Sequence, residues 1–292
     1  MSQDGVVMVD IKFHCDEKTA FIRGYPVRSF TYKDYSIERH THDFYEVNIV
    51  MAGEGTHCIE SGKFKVRMGD VFVIPPMTVH AYIDTSQLEV HHILLTKDFL
   101  INNRIETEQV KGFLQLTEIE PFLRSNFSNA FFLHLDHTQM ISLKNELSFL
   151  DDQSDFPWEE YSLMKYHTVW QILYWFSGIL NEQINSHKEK KQKSTNLKYE
   201  IQIIKSLEHI HKNYGEKISI DALSKEAYMS RSTFMRCFKS ICGISPIDYL
   251  NNYRCKKAIE LLNYDKCSKT EIAHSCGFYD LSHMERMLKK YR

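Results

Sequence analysis

Two histidines and a glutamate, His40, His42 and Glu46, offer the densest set of cation- or ligand-binding side chains in the first half of the chain. Side chains alternate between the two faces of a β-strand, so on a continuous strand these three point one way, together with Phe44 and Asn48. Imidazole combined with carboxylate suits Zn, Fe, Mn or Ni. A different chemistry marks the last third. Ser230, Phe234, Arg236, Phe238 and Lys239 are echoed 50 residues later by Asp280, Met284, Arg286, Leu288 and Lys289. Upstream, Leu223-Ser224 is echoed by Ile272-Ala273 at an offset of 49, so the second copy has a turn longer by one residue.

Each copy reads as a short helix, a tight turn and a second helix. Ser219, Ser230, Ser268 and Asp280 stand at N-cap positions, and Gly243 and Gly277 supply a stop and a turn. Ala222 and Ala227 are small enough for close helix contact. In the first copy Phe234 and Phe238, four apart, face the core and leave Arg231, Ser232, Met235, Arg236 and Lys239 outward. In the second, Met284 and Leu288 point inward and leave Ser282, His283, Glu285, Arg286 and Lys289 outward. Ser245-Pro246 opens the connecting helix, which fixes the separation of the two outward faces. Two rigidly spaced helices with basic outer faces fit successive major grooves of DNA.

The elements that carry these residues divide the chain. From Val27 to Thr96 short β-branched and aromatic runs alternate with turn signals, predicting strands at 45–51, 55–60, 64–68, 71–74, 79–83 and 89–96. A further strand is expected at 130–135. Helical periodicity follows: one helix from Asp136 or His137 with Met140, Leu143, Leu147 and Leu150, and one from near Pro157 to Ile184 with Trp158, Tyr161, Met164, Trp170, Leu173, Tyr174 and Ile179. The second has more apolar positions than one stripe needs, which suits either packing on the strands or a second subunit. Residues 185–198, lysine-rich and without apolar periodicity, read as a linker. The expected organisation is α+β: a strand domain at 1–135, helical dimerisation elements at 136–184, the linker, and an all-α domain at 199–292.

Composition agrees with a globular protein, 43% hydrophobic. From Leu197 onward 17 Lys/Arg face 11 Asp/Glu, a net +6, whereas the preceding residues carry −8. A basic C-terminal module suits a nucleic-acid partner. The seven cysteines include no Cys-x-x-Cys pair and read as free thiols. Met1 to Asp4 lack the basic start of a secretory signal, and the apolar stretch from Trp170 to Leu180 is shorter than the roughly 20 residues of a membrane span, so a cytoplasmic protein is expected.

The run Leu223-Ser224, Ser230, Phe234, Arg236, Phe238-Lys239, Gly243-Ile244-Ser245-Pro246, Tyr249, Arg254, Ala258 and Leu261-Leu262, with Ile272-Ala273, Cys276-Gly277-Phe278, Asp280, Ser282, Met284, Arg286 and Leu288-Lys289-Lys290, resembles the AraC/XylS regulators. The resemblance implies a double helix-turn-helix that binds promoter DNA, activates or represses transcription, and contacts RNA polymerase. Met284 and Leu288 replace the usual phenylalanines. Family members usually continue past the position of Arg292 with a second Gly-x-Ser-Pro element and a short closing helix, so either weaker or more frayed docking of the second unit or a truncated chain is expected.

His40-x-His42-x-x-x-Glu46 with Gly53, then Gly69, Pro75 and His80, resembles the two cupin motifs, with Met77 in place of a glycine and Asp84 in place of an asparagine. This resemblance adds His80 as the last ligand. The barrel it implies holds a small-molecule effector, a sugar by analogy, at His40, His42, Glu46, Asn48, His80 and Tyr82. Three uses stay open: a divalent metal on His40, His42, Glu46 and His80, an effector pocket without metal, and structurally satisfied histidines. His91 and His92, on opposite faces, are assigned no role. The leading expectation is a dimeric, effector-responsive activator with no catalytic residues. A metal-dependent cupin enzyme carrying DNA-binding helices is the alternative.

Overall fold

The computed structural model describes residues 11–21, 25–60, 62–101, 110–126, 133–151, 158–190, 195–264 and 267–291. The chain forms two compact units, Met1–Ser186 and His187–Arg292.

Two long antiparallel strands, β4 (Tyr45–Ile59) and β7 (His80–Leu95), organise the first unit. The sequence reading divides each of them into two strands at a turn. The signal Gly53-Glu54-Gly55 instead produces a series of register slips between Val50 and Thr56. Gly53 has φ +72, and a Cβ there would lie 2.1 Å from the Gln87 carbonyl oxygen. Such bulges bend a strand without reversing it, which lets each long strand serve two layers. In the first layer residues 45–50 of β4 lie between β7 and β6 (Asp70–Ile74), extended by β2 (Val27–Tyr32) beyond β7 and β8 (Leu133–His134) beyond β6. In the second, residues 54–59 of β4 pair with β5 (Gly62–Arg67), and the start of β7 pairs with β3 (Ile37–His42), which carries β1 (Phe13–Cys15). Residues 130–132 of the expected last strand lie outside the described residues.

Between the layers Val50, Val66, Phe72, Tyr82, Leu88 and Val90 form an inner core. The opposite parity on the first layer, Tyr45, Val47, Ile49, Val71, Val73, Ile93 and Leu95, packs against two helices. The strands are therefore buried on both faces, which explains their near-continuous apolar sequence. Short helices α1 (Glu17–Ala20) and α2 (Lys97–Ile101) flank the sheet, and a π-helical turn (Gln115–Ile119) leads directly into α3 (Glu120–Asn126).

The two packing helices are α4 (His137–Asp151), which buries Met140, Leu143, Leu147 and Leu150, and α5 (Trp158–Lys190), which buries Trp170, Leu173 and Ile179. Ile141, Leu163 and Met164 remain more than half exposed. Pro157, and the side chains of Trp158 and Tyr161, lie outside the described residues. The segment expected to be a linker is largely helical. α5 runs on to Lys190 and α6 (Thr195–Asn213) begins five residues later, with 191–194 outside the described residues. Its five lysines, one glutamate and one glutamine lack an apolar stripe yet have good helix propensity, so lack of a packing face does not end the helix.

The second unit continues with α7 (Ile220–Glu226), α8 (Arg231–Cys242), α9 (Pro246–Tyr264), α10 (Lys269–Ser275) and α11 (Leu281–Lys290). The four expected N-caps all form: the side chains of Ser219, Ser230, Ser268 and Asp280 accept from the backbone N–H of Ala222, Thr233, Glu271 and His283. Ser268 and Glu271 complete a reciprocal capping box. Phe234, Cys237 and Phe238 of α8 are buried, as are Met284 and Met287 of α11. Ala227 is buried as expected, whereas Ala222 is exposed. Among the described residues no helix is long and apolar enough to cross a membrane.

Candidate functional sites

Inside the barrel, β4 presents Glu46 and Asn48 inward, β3 delivers His42, and β7 delivers His80, Tyr82 and His92. All six are buried. His42 Nε2 and His80 Nε2 approach Glu46 Oε2 at 3.4 and 3.2 Å. None of these three buried atoms has hydrogen-bond geometry to a partner. The reason lies on the far side of each ring. His42 Nδ1 donates to the Phe44 carbonyl at 2.7 Å and His80 Nδ1 to the Thr78 carbonyl at 3.2 Å, so in the neutral imidazole the Nε2 atoms carry lone pairs. Burial pushes the His80 pKa down, against the pull of Glu46. Burial alone would raise the Glu46 pKa, and the hydrogen bond from His92 Nδ1 works against it.

Two imidazole lone pairs therefore face a carboxylate oxygen at a buried position. The three side chains each offer one ligand atom, and these lie within 4.8 Å of one another. The donor set thus fits a divalent transition metal. His40 is brought beside the set rather than into it. Its ring stacks on Phe13 at 4.9 Å, lies 4.1 Å from the His80 ring, and donates from Nδ1 to the Glu38 carbonyl. Burial, followed by the charge of His80, lowers its pKa to about 4. The strand expected to run unbroken from 40 to 46 is interrupted at Asp43 and Phe44, so His40 and His42 on β3 and Glu46 on β4 belong to different strands, and β3 slips register between Ile37 and His40.

His92 has a place that the sequence reading left empty: its Nδ1 donates to Glu46 Oε1 at 2.7 Å. His91, on the opposite face, is hydrogen bonded to Ser29 and Thr31. Adjacent strand positions do face opposite ways, and strand pairing decides which face is interior. Asn48 Nδ2 donates to the Tyr82 hydroxyl at 3.3 Å, while Asn48 Oδ1 is a buried acceptor without a hydrogen-bond partner. Tyr82 stacks on His57 at 4.5 Å.

A second buried polar group adjoins this one. Arg124 of α3 is fully buried and lies over the Phe72 ring. Its Nε donates to Glu120 Oε1 at 2.7 Å, Nη2 to the Val73 carbonyl at 2.8 Å, and Nη1 to His57 Nδ1 at 3.4 Å. Burial, then the Arg124 charge, keeps the His57 pKa well below its ordinary value. A separate cleft of about 490 Å³ is lined by Glu54, Lys65, Arg67, Asp70, Asp84 and His134 among others, and by none of the expected effector residues.

In the second unit Arg231, Ser232, Arg236 and Lys239 are exposed on α8 and Met235 is half-buried; Ser282, Glu285, Arg286 and Lys289 are exposed on α11 and His283 is half-buried. Arg231 is not an unpaired reader, for its Nη1 donates to both carboxylate oxygens of Asp221 at 2.8 and 2.9 Å. This exposed pair contributes little stability. His283 has its Nδ1 occupied by the Tyr279 N–H at 3.3 Å, which directs Nε2–H outward as a donor. The end of α11 is anchored by Tyr291, whose hydroxyl donates to Asp248 at 2.9 Å.

Residues 27–139 match the family model of an AraC-like ligand binding domain and residues 223–292 that of a helix-turn-helix domain. The HTH-type transcriptional activator RhaS of Escherichia coli O139:H28 (strain E24377A / ETEC) is 23% identical over 256 residues, spanning 86% of this chain and 83% of that protein. Among solved structures, the DNA-binding domain of AdpA in complex with a target DNA aligns at 28% identity with 30% of this chain and 79% of its own (TM-score 0.30). ToxT from Vibrio cholerae O395, bound to (E)-4-(8-methylnaphthalen-1-yl)but-3-enoic acid, aligns at 11% identity with 90% of this chain and 94% of its own (TM-score 0.36).

Proposed function

Because the chain belongs to the AraC family of transcriptional regulators, being a DNA-binding regulator with a ligand-binding domain and not an enzyme, we propose that a sugar bound in its barrel controls its activation of promoters. The observation that carries the reading is the set of bare acceptors inside the barrel, Glu46 Oε2 and Asn48 Oδ1. A polyhydroxylated ligand supplies the hydroxyl donors that these acceptors lack, and Tyr82 and His40 line the same region. The name of the relative RhaS supports activation as the sign of regulation. Two copies pair through the α4–α5 surface on which Ile141, Leu163 and Met164 are exposed, and RNA polymerase is the further partner on the promoter.

A divalent metal, Zn, Fe, Mn or Ni, held by His42 Nε2, Glu46 Oε2 and His80 Nε2 is the other use of this site, in which Asn48 Oδ1 alone remains an acceptor for a ligand hydroxyl. When bound it supplies a Lewis-acid position for a ligand oxygen. His92 orients the carboxylate from Oε1, and the Phe44 and Thr78 carbonyls orient the two imidazoles.

The test of the DNA and effector parts is binding of the purified chain to the DNA upstream of its own gene, with and without candidate sugars. An effector present at 100 times its Kd raises stability by about 2.7 kcal/mol, and it should shift DNA affinity. Arg236→Ala should weaken DNA binding by about 1 to 3 kcal/mol where that side chain pairs with a guanine. No sugar that both stabilises the chain and alters DNA affinity would remove sugars as the effector class. Elemental analysis with Zn, Ni, Mn and Fe tests the metal: wild-type protein should bind one equivalent, and His42→Ala and His80→Ala should lose it.

A further inference from the structure

The two helix-turn-helix units differ at the turn that leads into the outward helix. Their backbones match up to one point. In the first, the Met229 N–H donates to the Ser224 carbonyl at 2.9 Å, and in the second the Phe278 N–H donates to the Ala273 carbonyl at 2.9 Å. The residues just before, Tyr228 and Gly277, are therefore equivalent, and both adopt positive φ, +54 and +76. Glycine enters this conformation freely, but a tyrosine there is strained. The Tyr228 side chain receives nothing from the fold in return, for it is 88% exposed.

The second unit keeps glycine at that position and instead inserts one residue before its N-cap. The inserted residue is again a tyrosine, Tyr279, and it is 84% exposed. Both tyrosines stand within two residues of the N-cap that opens the outward helix, Ser230 or Asp280. When such a helix lies in the major groove with its N-terminal end toward the bases, the turn before it passes the sugar–phosphate strand at the groove edge. Strain retained at an exposed side chain indicates a function outside the folded chain itself.

We infer that Tyr228 and Tyr279 are paired DNA-backbone contacts, each hydroxyl donating to a phosphate beside its unit's outward helix. The inference rests on the DNA-binding reading and adds two residues to it. A phosphate contact carries no sequence preference, so an arbitrary duplex is an adequate probe.

The test uses the full chain and a 30-base-pair duplex of arbitrary sequence, with fluorescence anisotropy at low salt. Tyr228→Phe keeps the ring and backbone preference and removes the hydroxyl alone. It should weaken binding by about three- to tenfold, the range for a lost hydrogen bond, with an unchanged unfolding midpoint. Tyr228→Gly should weaken binding at least as much while raising the midpoint, because it relieves the strain. Tyr279→Phe should weaken binding similarly, and the double Phe variant should lose the product of the two factors. Wild-type affinity in Tyr228→Phe and Tyr279→Phe overturns the inference. Arg236→Ala separates the two levels: if it weakens binding while both Phe variants do not, the DNA-binding reading stands and the tyrosine contacts fall.

Discussion

Removing the guanidinium at Arg124 tests how the barrel is joined to α3. Arg124 neutralises Glu120, which is only 5% exposed, and also satisfies the Val73 carbonyl. Arg124→Met keeps an unbranched chain able to pack over Phe72 but leaves a buried carboxylate and a buried carbonyl without this donor. Breaking a buried pair in this way costs about 3 to 5 kcal/mol. In a unit of this size that corresponds to a fall in Tm of roughly 6 to 20 °C. All three tryptophans, Trp158, Trp170 and Trp175, belong to the first unit, so tryptophan fluorescence follows its unfolding separately from the second.

The loss should depend on pH in a determined direction. Burial raises the Glu120 pKa, and Arg124 partly opposes the rise. An acid whose folded pKa lies above its unfolded value favours the folded state when protonated, and that stability is lost as pH rises from the unfolded through the folded pKa. Without Arg124 the folded pKa climbs further. The deficit of Arg124→Met should therefore be largest at neutral pH and shrink on acidification toward the Glu120 range. Arg124→Met with Glu120→Leu removes both charges and should recover to within about 1 kcal/mol of wild type. A single variant that costs less than about 1 kcal/mol, or a double variant as unstable as the single one, would refute this account of the junction.

Met77, at φ +64 and 63% exposed, occupies a position where the motif usually has glycine; Met77→Gly should stabilise the first unit by roughly 0.5 to 1 kcal/mol, measured by tryptophan fluorescence. Gly277→Ala should destabilise the second unit by at least about 2 kcal/mol in thermal circular dichroism, because a Cβ there would lie 2.6 Å from the Tyr214 carbonyl and 2.7 Å from the Arg254 guanidinium. Ser268→Ala, which removes one half of the capping box on α10, should cost about 1 kcal/mol by the same measurement.

The barrel was legible where it obeyed alternation and illegible where pairing decided. Glu46 and Asn48 share a face in the sequence and in the structure, since both lie on the regular part of β4. His40 shares β3 and its parity with His42 yet stands outside the set, its ring stacked on Phe13 and 4.1 Å from that of His80, which parity alone does not decide. His92 could have been found only by knowing that β7 places it against β4, where it pairs with Asn48 in the register and reaches Glu46. The motif departures at Met77 and Asp84 contain a signal of another kind: both residues have positive φ, the conformation for which glycine and asparagine are suited. Arg124 and Glu120 carry no sequence signal beyond an i,i+4 pair on a short helix. Their importance comes from burial, which neither composition nor periodicity records.

The helical repeat was read more completely, because its information is local. Inward residues recur at the same spacing in both copies, Phe234, Cys237 and Phe238 in α8 and Met284, Met287 and Leu288 in α11, all 50 residues apart. The change of offset from 49 to 50 is therefore confined to the turn. It leaves the rotation of each outward helix about its axis unchanged and places Ser232, Arg236 and Lys239 in correspondence with Ser282, Arg286 and Lys289. The faces differ at the remaining positions, where Arg231, Thr233 and Met235 correspond to Leu281, His283 and Glu285. The units also differ in their surroundings: the Asp221 carboxylate engages Arg231 in the first, the turn bearing Tyr279 is longer in the second, and α11 is anchored through Tyr291 and Asp248. Since replacing the usual phenylalanines by Met284 and Leu288 keeps apolar residues at the inward positions, a difference in docking is to be sought in the charge of the outward faces, Glu285 against Met235 above all, and in these surroundings.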